Sequence, residues 1–235
     1  MSRIKQKGFT FLEILIAVGV FATFLYISML GFDAALNAQK QANLLSTRNR
    51  LAQTMSELTS MAATIRNSAL AGTGSSAVNP ELFNCVSGKV LNACVSHKVT
   101  PVKLFLPMRM VDAGGQQSLV QFTSQALGVD EIAYNENAEL CEKGEEWCYL
   151  KVITTITPQC GAAPLTYPLP NNVFAPTNLM APVANCSVAE YIRIDYQIVL
   201  DQNVVKKNPS LYSHIQPMSG ASLISVRAIT NNGPR

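Results

Sequence analysis

Apolar residues occupy nearly every position from Phe9 to Phe32, a run of 24 residues with one charged side chain, Glu13. A helix that crosses hydrocarbon needs about 20 such residues, so the run is long enough to span a bilayer. After Asp33 the pattern changes without a turn signal. Leu44, Leu51, Met55, Leu58, Met61, Ile65 and Ala69 recur at spacings of 7, 4, 3, 3, 4 and 4, the period of one helical face. Arg48, Gln53, Glu57 and Arg66 fall largely off that stripe, and no proline precedes Pro80. The spacing therefore predicts one continuous helix from Phe9 to Leu70, roughly 90 Å long. Ala71-Gly72-Thr73-Gly74-Ser75-Ser76 supplies the breakers that end it. No heptad is sustained, so the second half is expected to pack its stripe on a folded domain rather than pair as a free coiled coil.

Residues 77–235 hold all 12 prolines and several runs with strand periodicity. Strands are expected over Val102–Met110, Ser118–Thr123, Tyr149–Thr157, Ile192–Leu200 and Leu223–Ile229. Ile192, Ile194, Tyr196, Ile198 and Leu200 alternate strictly, as in a strand with one buried face. Ala113-Gly114-Gly115-Gln116 reads as the hairpin loop joining the first two strands. The loops between Pro158 and Pro182 and the polar stretch around Lys206 and Lys207 carry no regular pattern. One helix packed on an antiparallel sheet, an α+β architecture, is the implied fold, with residues 71–235 as a single globular head.

Composition narrows the class. The chain has 235 residues, 48% hydrophobic and 14% charged, which excludes a disordered or acidic-tail protein. A formal charge of +3 is too small to imply a surface built for nucleic acid. Arg3, Lys5 and Lys7 precede the apolar run with no acid among them, so the amino terminus is expected in the cytoplasm and everything after Phe32 across the membrane. A cleaved secretory signal is the competing reading. Its apolar middle would be about half as long, and Ala34-Ala35-Leu36 offers only a weak cleavage motif.

Six cysteines (Cys85, Cys94, Cys141, Cys148, Cys160 and Cys186) all lie beyond the apolar run, where oxidation is expected. Three disulfides follow, and pairing sequence neighbours gives Cys85 with Cys94, Cys141 with Cys148 and Cys160 with Cys186. A zinc site would ask for CxxC-like spacing or nearby histidines, which the cysteines lack. His97 and His214 stand in no nucleophile or base motif, and no GxSxG, HExxH or phosphate loop occurs, so neither an enzyme nor a cofactor is expected. Glu136, Glu139, Glu142, Glu145 and Glu146 gather between Asn135 and Trp147, as a solvated acidic loop or a calcium site.

The string Lys7-Gly8-Phe9-Thr10-Phe11-Leu12-Glu13 sets a carboxylate inside the apolar run, where an acidic residue at mid-membrane costs about 2.5–3.5 kcal/mol. It resembles the processing site of type IV prepilins and of the related pseudopilins of type II secretion. The resemblance implies cleavage between Gly8 and Phe9 by a membrane-embedded aspartyl peptidase, which then methylates the new amino terminus. Glu13 becomes the fifth mature residue, paired with the amino terminus of a neighbouring subunit, so that two charges neutralise each other in lipid. Loss of residues 1–8 removes three basic residues, taking the balance from 18 minus 15 to 15 minus 15. Residues 9–32 would be the membrane and assembly half of the helix and residues 33–70 its amphipathic half. Many relatives carry a proline within the apolar half, and none is present here.

The resemblance further implies an inner-membrane protein with a periplasmic head that enters a filament. Its partners would be other pilin subunits, the prepilin peptidase and an inner-membrane assembly platform, with no nucleic acid required. About 227 mature residues favour a minor over a major subunit. A minor pseudopilin of type II secretion and a membrane-anchored binding module or adhesin that never polymerises are the alternatives.

Overall fold

The computed structural model describes residues 11–72, 77–111, 115–127, 131–141, 148–161, 185–207, 209–212 and 214–231. The chain divides into two units, Met1–Leu44 and Leu45–Arg235. The first carries the amino-terminal part of helix α1 (Phe11–Ser60). Every side chain from Phe11 to Lys40 is exposed. Within the apolar stretch the Thr23 hydroxyl donates to the Val20 carbonyl at 2.8 Å, which satisfies a polar group without solvent.

The second unit begins with the carboxy-terminal part of α1. Of the stripe positions within it, Leu51, Met55, Ile65 and Ala69 are buried, Leu58 is half-buried and Met61 is exposed. The expectation of one unbroken helix fails at Met61, whose backbone is extended (φ −78°, ψ 122°) between α1 and α2 (Ala62–Leu70). Neither proline nor glycine causes the break. The Thr59 hydroxyl donates to the Met55 carbonyl at 2.7 Å and the Ser60 hydroxyl to the Glu57 carbonyl at 2.7 Å. Such back-bonding bends helices without ending them, as at Thr23 and Thr54 within α1; ahead of Met61 two successive residues make it. Met61 N–H then donates to Leu58, three residues back, and Ile65 N–H donates to Met61 to open α2.

Helix α3 (Pro80–Ser87), which no periodicity announced, has proline at its start and ends on left-handed Gly88, φ 63°. Short strands β1 (Cys94–Val95) and β2 (Thr100–Pro101) lead into β3 (Phe105–Val111) and β4 (Gln117–Gln121), an antiparallel pair apart from the main sheet. Gly115 and Gln116 of the expected hairpin loop are described; residues 112–114 lie outside the described residues. After β5 (Ala133–Tyr134), β6 (Leu140–Cys141), β7 (Leu150–Gln159), β8 (Asn185–Cys186) and β9 (Tyr191–Leu200) come α4 (Gln202–Lys207), α5 (Pro209–Tyr212), β10 (Met218–Ser225) and α6 (Val226–Asn231).

The main sheet runs β10-β9-β7-β5-β6, with β2 also paired to β7. The β7 and β9 strands are antiparallel from Leu150↔Leu200 to Gln159↔Tyr191. Ile192, Ile194, Tyr196 and Ile198 are buried in alternation, as their spacing predicts. Pro158, expected in a loop, sits inside β7 opposite Ile192. Its carbonyl accepts from His97 N–H at 2.8 Å, on the β2 side, so its missing N–H removes nothing from the β9 ladder. The expected strand over Leu223–Ile229 is half strand and half helix. Val226 N–H donates to Glu190 as the ladder ends, and burial steps from Val226 to Ile229 with helical spacing. Lys206 and Lys207, read as loop, close α4. The fold is therefore α+β, with three sheets among the described residues rather than one.

Candidate functional site

Two places carry chemistry: the start of α1 and a group of cysteines in the second unit. Glu13 lies near the start of the described part of α1, among apolar side chains. Around it Phe11 is 79% exposed and Leu12 66%, and the apolar side chains as far as Phe32 are similarly open. An 18-residue window of this helix is long and apolar enough to cross a membrane, and none of it is buried within the chain. Gly8 and Phe9, the expected processing site, lie outside the described residues.

The cysteines form three disulfides. Cys85 of α3 is bonded to Cys94 of β1 with Cα atoms 4.6 Å apart, Cys141 of β6 to Cys148 at 5.9 Å, and Cys160 to Cys186 of β8 at 5.7 Å. Two of these bonds are neighbours, because β1 and β8 pair with Cys94 directly opposite Cys186. The Sγ atoms of Cys94, Cys160 and Cys186 lie within 4.8 Å of one another. Among the described residues this is the one cluster of three or more potential metal ligands.

The other sequence candidates stay apart. His97 is half-buried with φ 61°, and His214 is exposed. Glu139 accepts from the Asn135 amide at 2.9 Å inside its own turn, and Glu136 is exposed. Glu142, Glu145, Glu146 and Trp147 lie outside the described residues.

Pattern reading missed the polar residues that hold the second unit together. The Tyr196 hydroxyl donates to the Ala52 carbonyl at 3.1 Å, tying β9 to α1, and burial pushes its pKa upward. Thr59 and Ser222 share a buried hydrogen bond of 2.6 Å between α1 and β10. Asn79 brackets Lys103 as a strand would, accepting from its N–H at 2.9 Å and donating to its carbonyl at 2.7 Å. Thr154 donates to the Val102 carbonyl, so it accepts from Thr123, which in turn accepts from Leu104 N–H; both hydroxyls are fully buried and satisfied. Lys151, only 8% exposed, reaches Glu131 at 2.6 Å and Asp201 at 2.8 Å. Against the lowering effect of burial, hydrogen bonds and charge attraction from these two carboxylates hold its pKa above the ordinary lysine value. Partners separated by 19 to 163 residues leave no local signal in a sequence.

No protein-family model, curated protein or solved structure matches this chain.

Proposed function

We propose that the chain is a structural subunit, of the minor kind, in a type IV pilus-like filament, assembled through its amino-terminal helix after cleavage between Gly8 and Phe9. The observation that carries the reading is the first described part of α1, where exposed apolar side chains run to Phe32 with Glu13 among them. So much exposed apolar surface calls for lipid or other helices, and a bundle of equivalent helices supplies both burial and, from each cleaved neighbour, an ammonium to pair with the carboxylate. Disulfides in the second unit suit the oxidising side of the membrane. The partners on this reading are other subunits, a prepilin peptidase and an inner-membrane platform. A minor pseudopilin shares every one of these features and differs only in the machine it serves.

Two measurements test the proposal. Mass spectrometry of the native polypeptide should find a methylated Phe9 at its start; an intact Met1, or a start well beyond Phe32, overturns it. Glu13→Ala should keep the protein in the membrane fraction and remove it from sheared filaments. Unchanged incorporation also overturns it, and unchanged activity of a chain that never polymerises marks an anchored binding module instead.

A further inference from the structure

We propose that Cys85, Cys94, Cys160 and Cys186 form, when reduced, a binding site for one Zn²⁺ ion, which oxidation to two disulfides closes. It stands independently of the assembly reading. Spacing along the chain argues against such a site, but the tertiary structure removes the objection by bringing three of the sulfurs within 4.8 Å, with Cys85 bonded to one of them. Tetrahedral zinc at Zn–S distances of about 2.3 Å needs sulfurs about 3.8 Å apart; the three clustered sulfurs are already within 4.8 Å, and Cys85, outside that group but bonded to Cys94, has to swing in as the fourth.

The cysteines are positioned by more than their own bonds. Cys94 and Cys186 are paired across β1 and β8. The Cys85 carbonyl accepts from Ala189 N–H at 2.9 Å, just beyond Cys186. Cys160 N–H donates to the Ser96 hydroxyl at 3.2 Å, just beyond Cys94. None of these contacts runs through a disulfide bond. Cys186 is half-buried, which gives a reductant a point of approach to the Cys160–Cys186 bond, whereas Cys85 and Cys94 are both buried and their bond is the second to open.

The chemistry balances. A dithiol delivers two electrons and two protons to each S–S bond, which breaks into two thiols as the reductant closes its own disulfide. The four thiols then release four protons to bind Zn²⁺ as a tetrathiolate. A disulfide oxidant reverses both steps and expels the ion.

The test uses the full chain in detergent with Cys141→Ser and Cys148→Ser, which removes the third pair. The protein is reduced anaerobically with a phosphine and titrated with Co²⁺, then Zn²⁺. One cobalt per chain, with thiolate-to-metal charge-transfer bands and the intense visible bands of tetrahedral coordination, displaced by zinc, is the expected result. Further replacement of Cys186 or Cys94 by serine should weaken binding by more than the roughly 10–100-fold that losing an outer-shell partner costs. Should reduction unfold the head, zinc should restore its resistance to protease, because binding and folding are then one step. Octahedral cobalt, no stoichiometric binding, or binding indifferent to Cys94 and Cys186 overturns the proposal in either case.

Discussion

Tyr196 on β9 and Gly220 on β10 face each other directly, and a Cβ on Gly220 would overlap the Cζ and hydroxyl of the Tyr196 ring. The bare glycine lets the ring lie across the neighbouring strand while its hydroxyl reaches Ala52. Gly220→Ala is therefore expected to displace the ring and destabilise the protein by about 1–3 kcal/mol, as overpacking does. Tyr196→Phe should cost only about 1 kcal/mol, because Ala52 lies within α1 and its carbonyl keeps a helical partner. Denaturant midpoints of the two variants check the order; a Gly220→Ala protein as stable as the parent contradicts the packing.

Thr59→Val strands the Ser222 hydroxyl in a buried site and should cost about 1–3 kcal/mol. Adding Ser222→Ala removes the stranded group along with its partner. The double variant should then be more stable than Thr59→Val alone, and a double-mutant cycle reads the difference.

Lys151→Met leaves Glu131 and Asp201 facing each other without their ammonium, at a cost of about 3 kcal/mol. Asp201→Asn added to it should recover part of that loss. Lys151, Tyr134 and Tyr196 all have pKa values above their ordinary ones. For the tyrosines burial is the leading cause. Folding thus favours the protonated forms. Their contribution is whole below about pH 10 and is lost as pH rises further, when the unfolded chain gives up protons the folded chain retains. Unfolding at pH 8 and pH 11 should show that fall, and Tyr134→Phe should lessen it.

The three disulfides close loops of different length, with sequence separations of 9, 7 and 26. On chain-entropy grounds their removal costs about 2.6, 2.4 and 3.5 kcal/mol respectively. Paired cysteine-to-serine variants should place Cys160 with Cys186 as the most costly loss and Cys141 with Cys148 as the least in thermal unfolding.

Some of this was fixed by the order of residues. The apolar run to Phe32 has too few polar positions for any other element, and the period-two burial of Ile192, Ile194 and Ile198 follows from side chains alternating across a strand. Both are local properties, legible in a short window. The break at Met61 was not legible, because no proline or glycine marks it and the hydroxyl bonds of Thr59 and Ser60 are of a kind that Thr54 makes within intact helix. Nor was the strand-to-helix change at Val226, which depends on where the β9 ladder runs out. Tyr196 over Gly220, Lys151 between two carboxylates and Cys94 opposite Cys186 came from tertiary structure alone. Each joins residues far apart in the chain, and only the register of packed strands, which no single segment contains, brings them within bonding distance.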